Sequence, residues 1–178
     1  MLSESTRPLW ALVPSLAAIP LILATSKRPN LRETWTILAA IAKCAVVLSM
    51  LPWVLEGRVA ECTLWSLAPG IDLALRVDPL GFLFALVASV LWIATSCYSI
   101  GYVRGANEKK QTRYFASFAA CLTATIGISF SANLLTFLVF FELLTLATYP
   151  LVIHKETPTA ISAGRKYLAY TLPAGLAL

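Results

Sequence analysis

Charged residues divide this chain into long apolar runs joined by short polar connections. Residues 8–26 carry no charge, residues 34–55 carry one (Lys43), and residues 79–103 carry none. Between Tyr114 and His154 the single formal charge is Glu142, and the polar break Ser129–Phe130–Ser131–Ala132–Asn133 splits that stretch in two. About 20 helical residues cross the roughly 30 Å hydrocarbon core of a bilayer. The pattern therefore predicts five complete membrane spans, at about 8–26, 34–55, 79–103, 113–130 and 133–153. A sixth run, 164–178, has only twelve residues after Lys166, about 18 Å of helix. It is expected to be a span cut short, and the chain the front portion of a longer one. The first run exceeds the 7–15-residue core of a signal peptide and contains Pro14 and Pro20, so it is read as a retained span.

The longest connection, 56–78, has a different period. Ile71, Leu73, Leu75 and Val77 alternate with Asp72, Ala74, Arg76 and Asp78, after the turn-forming pair Pro69–Gly70. A period of two predicts a short β-hairpin on the outer membrane face, with an irregular amphipathic loop as the alternative. The expected fold is thus an all-α polytopic membrane protein, one membrane domain over 1–178, with five complete transmembrane helices, a truncated sixth and this hairpin.

Composition closes off other classes. Hydrophobic residues make up 58% and charged residues 13%, against roughly 45–50% and 25% in soluble domains. Six spans leave no room for a catalytic domain outside the membrane. The net charge of +5 follows from topology. Lys27, Arg28, Arg32, Arg104, Lys109, Lys110, Arg113, Lys155, Arg165 and Lys166 fall on one side, and Arg7, Arg58 and Arg76 on the other. The positive-inside rule puts the first group in the cytoplasm and the N-terminus outside, in a cell inner (plasma) membrane. Nothing suggests a nucleic-acid partner, because no clustered basic face with a recognition fold is visible. Cys44, Cys62, Cys97 and Cys121 form no C-x-x-C, His154 is the lone histidine, and no P-loop or H-E-x-x-H occurs. No metal or cofactor is expected in this chain. Any redox chemistry would belong to a partner.

Two charges remain inside spans. Glu142 lies near the middle of the fifth, with Thr145 and Tyr149 at i+3 and i+7, one polar stripe on a helix. Burial favours the neutral carboxyl and a nearby cation favours the carboxylate, so a group balanced between them can load and release a proton. Pro150 has no N–H for the Leu146 carbonyl and adds a candidate kink. The plainer reading is a glutamate bonded to a neighbouring helix with no transport role. Lys43 sits near the centre of the second span, as a proton relay, a charge partner, or a long stem reaching to the interface. His154, at the cytoplasmic edge, could exchange protons or be incidental. Lys166, at the mouth of the sixth run, either faces the Glu142 stripe or is a positive-inside anchor like Arg165.

The runs FFELLTLATYPLV at 140–152, HK after it, and AGRKYLAY at 163–170 resemble the antiporter-like membrane subunits. That superfamily includes the proton-pumping subunits of respiratory complex I and the large subunits of Mrp-type cation/proton antiporters. DPLGFLF at 78–84 and YSIGYVRG at 98–105 are similar to it as well. The chain looks closer to the D-type Mrp antiporter subunits than to the core complex I subunits. The resemblance implies about fourteen spans built on inverted repeats, a proton channel containing the glutamate matched by Glu142, and a partner lysine two spans later, beyond Leu178. Lys166 matches a basic position. It also implies partner membrane subunits in a hetero-oligomeric antiporter or respiratory complex, the lipid bilayer, and protons with sodium as a further candidate ion. The alternative is a non-transporting anchor or assembly subunit of such a complex.

Overall fold

The computed structural model describes residues 6–177, and Leu178, the last residue of the sixth predicted run, lies outside them. Seven helices and one hairpin follow in order: α1 (Arg7–Ala24), α2 (Pro29–Leu48), α3 (Leu51–Leu55), β1 (Ala60–Ala68), β2 (Ile71–Val77), α4 (Pro79–Gly105), α5 (Gln111–Ser129), α6 (Leu134–Val152) and α7 (Pro158–Leu176). Proline opens α2, α4 and α7, where its missing N–H costs no helical bond. Side chains close three helix starts: Asp78 accepts from the Gly81 N–H at 2.7 Å, Asn133 from Thr136 at 2.8 Å and Thr157 from Ala160 at 3.1 Å.

α1, α4, α6 and the continuous α2–α3 stretch (Pro29–Leu55) are long and apolar enough to cross a membrane, so this is a multi-pass membrane protein. α5 and α7 have 19 residues each, about 28 Å, but are less apolar. α7 starts at Pro158, ahead of the apolar run that begins at 164, because Thr157 and Pro158 together start a helix that its charged residues do not interrupt. The sixth element is correspondingly longer than the twelve residues counted from the sequence.

The hairpin forms as expected. β1 and β2 pair antiparallel from Ala60↔Val77 to Ala68↔Ile71, with register shifts between Thr63 and Trp65 and between Ser66 and Ala68. Gly70 turns the chain at φ 81°, a region open to glycine. The alternation holds only at the end of β2: Leu75 and Val77 are buried and Arg76 between them is exposed, but Ala74 is buried as well and Ile71 is exposed at the tip. The reason is the far edge of β2, which bonds to the turn between α5 and α6. Arg76 N–H donates to Phe130 O (2.6 Å), Ala132 N–H to Ala74 O (3.0 Å) and Ala74 N–H to the Thr136 hydroxyl (3.0 Å). The Asn133 amide adds a bond to Asp72 O at 2.8 Å. Leu75, Val77 and Phe130 continue into a core with Leu12, Val47, Met50, Phe82 and Ile126.

The opposite end is held by charges. Glu33, buried on α2, takes Arg104 of α4 at 2.6 Å and Arg32 at 3.2 Å, and Arg32 reaches Gln111 (2.7 Å) and Thr112 (3.2 Å) of α5. In the sequence Arg32 and Arg104 counted only toward orientation. Between α6 and α7, Glu156 is clamped by Lys110 and Arg113. The hydrogen bond from Lys110, then that from Arg113, holds its carboxyl below the usual glutamate range. A carboxyl lowered in the folded state stabilises at every pH above its ordinary value near 4.3 and loses that contribution as acid protonates it. Limited proteolysis from neutral pH down to about 3 should therefore show cleavage at 153–157 rising only in the acid arm. Glu156→Gln should raise cleavage at neutral pH and flatten the profile.

Candidate functional site

The site is the seam between α6 and α7. On α7, Gly164, Tyr167, Thr171 and Gly175 are spaced by three, four and four residues, which lines them up on one helical face. Against Gly164 lie the ring of Tyr149 and the side chain of Ile153, and against the α-carbon of Gly175 lie the Glu142 carboxyl and the Phe141 ring. A side chain at either glycine would occupy their space. The absence of Cβ at these two positions is what lets the helices approach.

Glu142 sits midway along α6. Its two carboxyl oxygens are both buried and neither has a hydrogen-bond partner among the described residues. The rest of the α6 face is hydroxylic. Thr145, buried, donates to Phe141 O at 3.2 Å, and Thr148 donates to Thr145 O at 2.9 Å. The Thr148 hydroxyl also lies 2.8 Å from the Tyr167 hydroxyl, where either oxygen can donate. Thr171 donates to Tyr167 O at 2.7 Å. Pro150 is inside α6, which continues to Val152.

The remaining candidates scatter. Lys166 is exposed. It lies two residues beyond Gly164, about 200° around the helix, so it points away from the seam and does not face Glu142. His154 lies in the turn just past the end of α6, twelve residues on from Glu142. Its ring makes an edge contact with Tyr114 at 5.6 Å, and Nε2 is 3.8 Å from the Glu108 carboxylate. Both ring nitrogens are buried without a hydrogen bond, on the wall of a 600 Å³ open cavity shared with Tyr102, Glu108, Tyr114, Thr159 and Ala163. Lys43 is fully buried elsewhere, between α2, α4 and α5: its Nζ donates to Leu122 O at 3.1 Å and lies 5.2 Å from the centre of the Trp92 ring. The stem does not extend to the interface.

Sequence reasoning missed Thr148, Tyr167, Gly175 and Glu108. The 3–4–4 spacing of small and hydroxyl residues on α7 was the available signal for Tyr167 and Gly175. Among the described residues no group of three His, Cys, Asp or Glu could hold a metal ion.

No family model matches the chain, but individual proteins do. It is 26% identical over 147 residues to NAD(P)H-quinone oxidoreductase subunit 5 of the Aethionema grandiflorum chloroplast, covering 79% of this chain and 20% of that protein. It is 26% identical over 163 residues to the Na(+)/H(+) antiporter subunit A1 of Staphylococcus aureus, covering 90% and 20%. Among solved structures, a chain of the Mrp complex from a Dietzia species superposes with a TM-score of 0.79 at 25% identity, covering 99% of this chain and 33% of that one. The chain thus spans about a fifth of the length of the curated relatives it matches. These two relatives are an A-type antiporter protein and a subunit 5, and neither is of the D type.

The packing at Gly175 carries a prediction. Gly175→Ala puts a methyl group into the space of the Glu142 carboxyl, the free end of a flexible side chain, which must turn aside at a cost of about 0.5–1.5 kcal/mol. Thermal unfolding of the purified chain in detergent should show that loss, and it should shrink in a Glu142→Ala background, where the two changes couple.

Proposed function

We propose that this chain, which belongs by sequence and fold with the antiporter-like membrane subunits, is part of a proton-translocating subunit of a multisubunit cation/proton antiporter or respiratory NADH dehydrogenase-like complex. Its N-terminus lies outside an inner (plasma) membrane and its basic loops lie in the cytoplasm. Other membrane subunits complete the assembly. The transported ion is the proton, with sodium as a candidate for exchange.

The observation that supports this reading is the Glu142 carboxyl, shut in at mid-helix with neither oxygen bonded. A carboxylate in the middle of a span costs about 2.5–3.5 kcal/mol on insertion scales. In a helix fixed only for packing, an alanine or leucine would serve without that cost. A carboxyl there is useful because it changes charge. Protonated, it is tolerated by the apolar surroundings; ionised, it draws a cation toward it, so that proton occupancy and the position of a cationic partner are linked. Among the described residues no cationic nitrogen lies within ion-pair distance of Glu142, and under this reading the cation comes from a further span.

Glu142→Gln keeps the shape of the side chain and removes the titration. In sealed membrane vesicles containing the assembled complex, it should cut proton flux, read with a pH-sensitive dye after a sodium pulse, on the order of a hundredfold, with normal recovery of the complex. Unchanged flux in a fully assembled complex rules out the proposed role. Poor recovery of the complex, with normal turnover in what remains, would favour the anchor reading.

A further inference from the structure

We propose that the α6–α7 seam is itself the proton path on the basic side of the membrane, with the Thr148 and Tyr167 hydroxyls relaying protons between the His154 cavity and Glu142. The proposal rests on reading Glu142 as the protonatable centre and adds the route by which that centre is reached.

Thr148 is six residues from Glu142, about 9 Å along α6, and six from His154, which lies in the turn just past the end of α6 at Val152. It therefore divides a gap that no single side chain crosses. Each half is short enough for two or three waters at ordinary O–H···O spacing. Water in such a place needs two to four polar partners. The seam offers the Thr145 and Thr171 hydroxyls, the two unbonded carboxyl oxygens of Glu142, and at the other end the two unbonded nitrogens of His154.

The bonding of the pair suits a relay. A hydroxyl has one proton to give and can accept. Thr148 has two acceptors in reach, Thr145 O at 2.9 Å and Tyr167 Oη at 2.8 Å. When it points to Thr145, Tyr167 donates to it; when it points to Tyr167, the direction reverses. A pair with two orientations of similar geometry can pass protons both ways. In one passage, a hydronium or the His154 imidazolium gives a proton through water to Tyr167 Oη. Tyr167 releases its own phenolic proton to Thr148 Oγ1. Thr148 then releases its original proton through water to the Glu142 carboxylate. The net change is one proton moved to Glu142; both hydroxyls end neutral and rotate back, and no other bond changes.

The neighbouring face of α6 lacks these features. The 400 Å³ cavity between α1, α5 and α6 is lined by Leu16, Ile19, Phe140, Leu143 and Leu146, with Thr123 as its one polar side chain. Thr123 is already bonded to Ser15 at 2.7 Å and to Ala119 O at 3.0 Å. A proton entering there has no relay to follow.

The test uses the assembled complex in sealed vesicles, with the flux measurement applied to Glu142→Gln. Tyr167→Phe and Thr148→Val remove one hydroxyl each and nearly preserve shape. Each should lower flux by about tenfold or more with normal complex recovery, and Thr148→Ser, which restores the hydroxyl, should keep most of it. If Tyr167→Phe and Thr148→Val transport normally while Glu142→Gln does not, the path lies elsewhere and the role of Glu142 stands. If Glu142→Gln transports normally too, both proposals fall. Equal losses in Thr148→Ser and Thr148→Val would also overturn the relay, because they would trace to packing.

Discussion

The placement of α6 depends on hydrogen bonds between β2 and the turn at its start. Backbone groups buried away from water must find partners within the protein. The α5–α6 turn finds them on the edge of β2, through Phe130 O, Ala132 N–H and the Thr136 hydroxyl. Thr136 belongs to the first turn of α6, so the bond to Ala74 fixes the rotation of that helix about its own axis. Every residue that follows inherits the setting. Glu142, six residues on, faces α7 because Thr136 faces β2.

The two ends of the bundle are fastened by different chemistry. At the hairpin end the bonds are neutral and mostly backbone. At the basic end they are ionic: Glu33 with Arg32 and Arg104, Glu156 with Lys110 and Arg113. Exposed ion pairs contribute little alone, but the Glu33 group is buried and ties three helices together. The seam between α6 and α7 runs from one regime toward the other, with Glu142 deep in it and His154 at the charged mouth. The arrangement gives a graded polarity along one helix face while the faces toward α5 remain apolar.

Much of this was legible from charge spacing. Gaps between charges located α1, α4, α5 and α6 to within two residues, whereas the run at 34–55 is split into α2, which starts at Pro29 and takes in Arg32 and Glu33, and the short α3. The start of α7 was missed for a related reason. Arg165 and Lys166 interrupt the apolar run, yet they occupy faces of the helix turned from the seam, so they end the hydropathy signal without ending the helix. Alternation revealed β2, but it could not show that Ala74 turns inward to meet Thr136. Glu142 stood out because it was alone. Its neighbours Tyr167 and Gly175 did not, since their role depends on which face α7 presents to α6, a matter of packing between helices. The stem of Lys43 is long enough for either the interface or the interior, and only the carbonyl of Leu122 and the ring of Trp92 decide between them.

That buried amine also bears on how the protein is made. Its acceptor, the Leu122 carbonyl, lies 79 residues further along the chain. A ribosome adding about 5–20 residues per second needs several seconds to cover that distance. During that interval α2 carries its amine with the α5 backbone still unmade. Biogenesis of this domain therefore leaves the Lys43 amine without its carbonyl acceptor until α5 has been made.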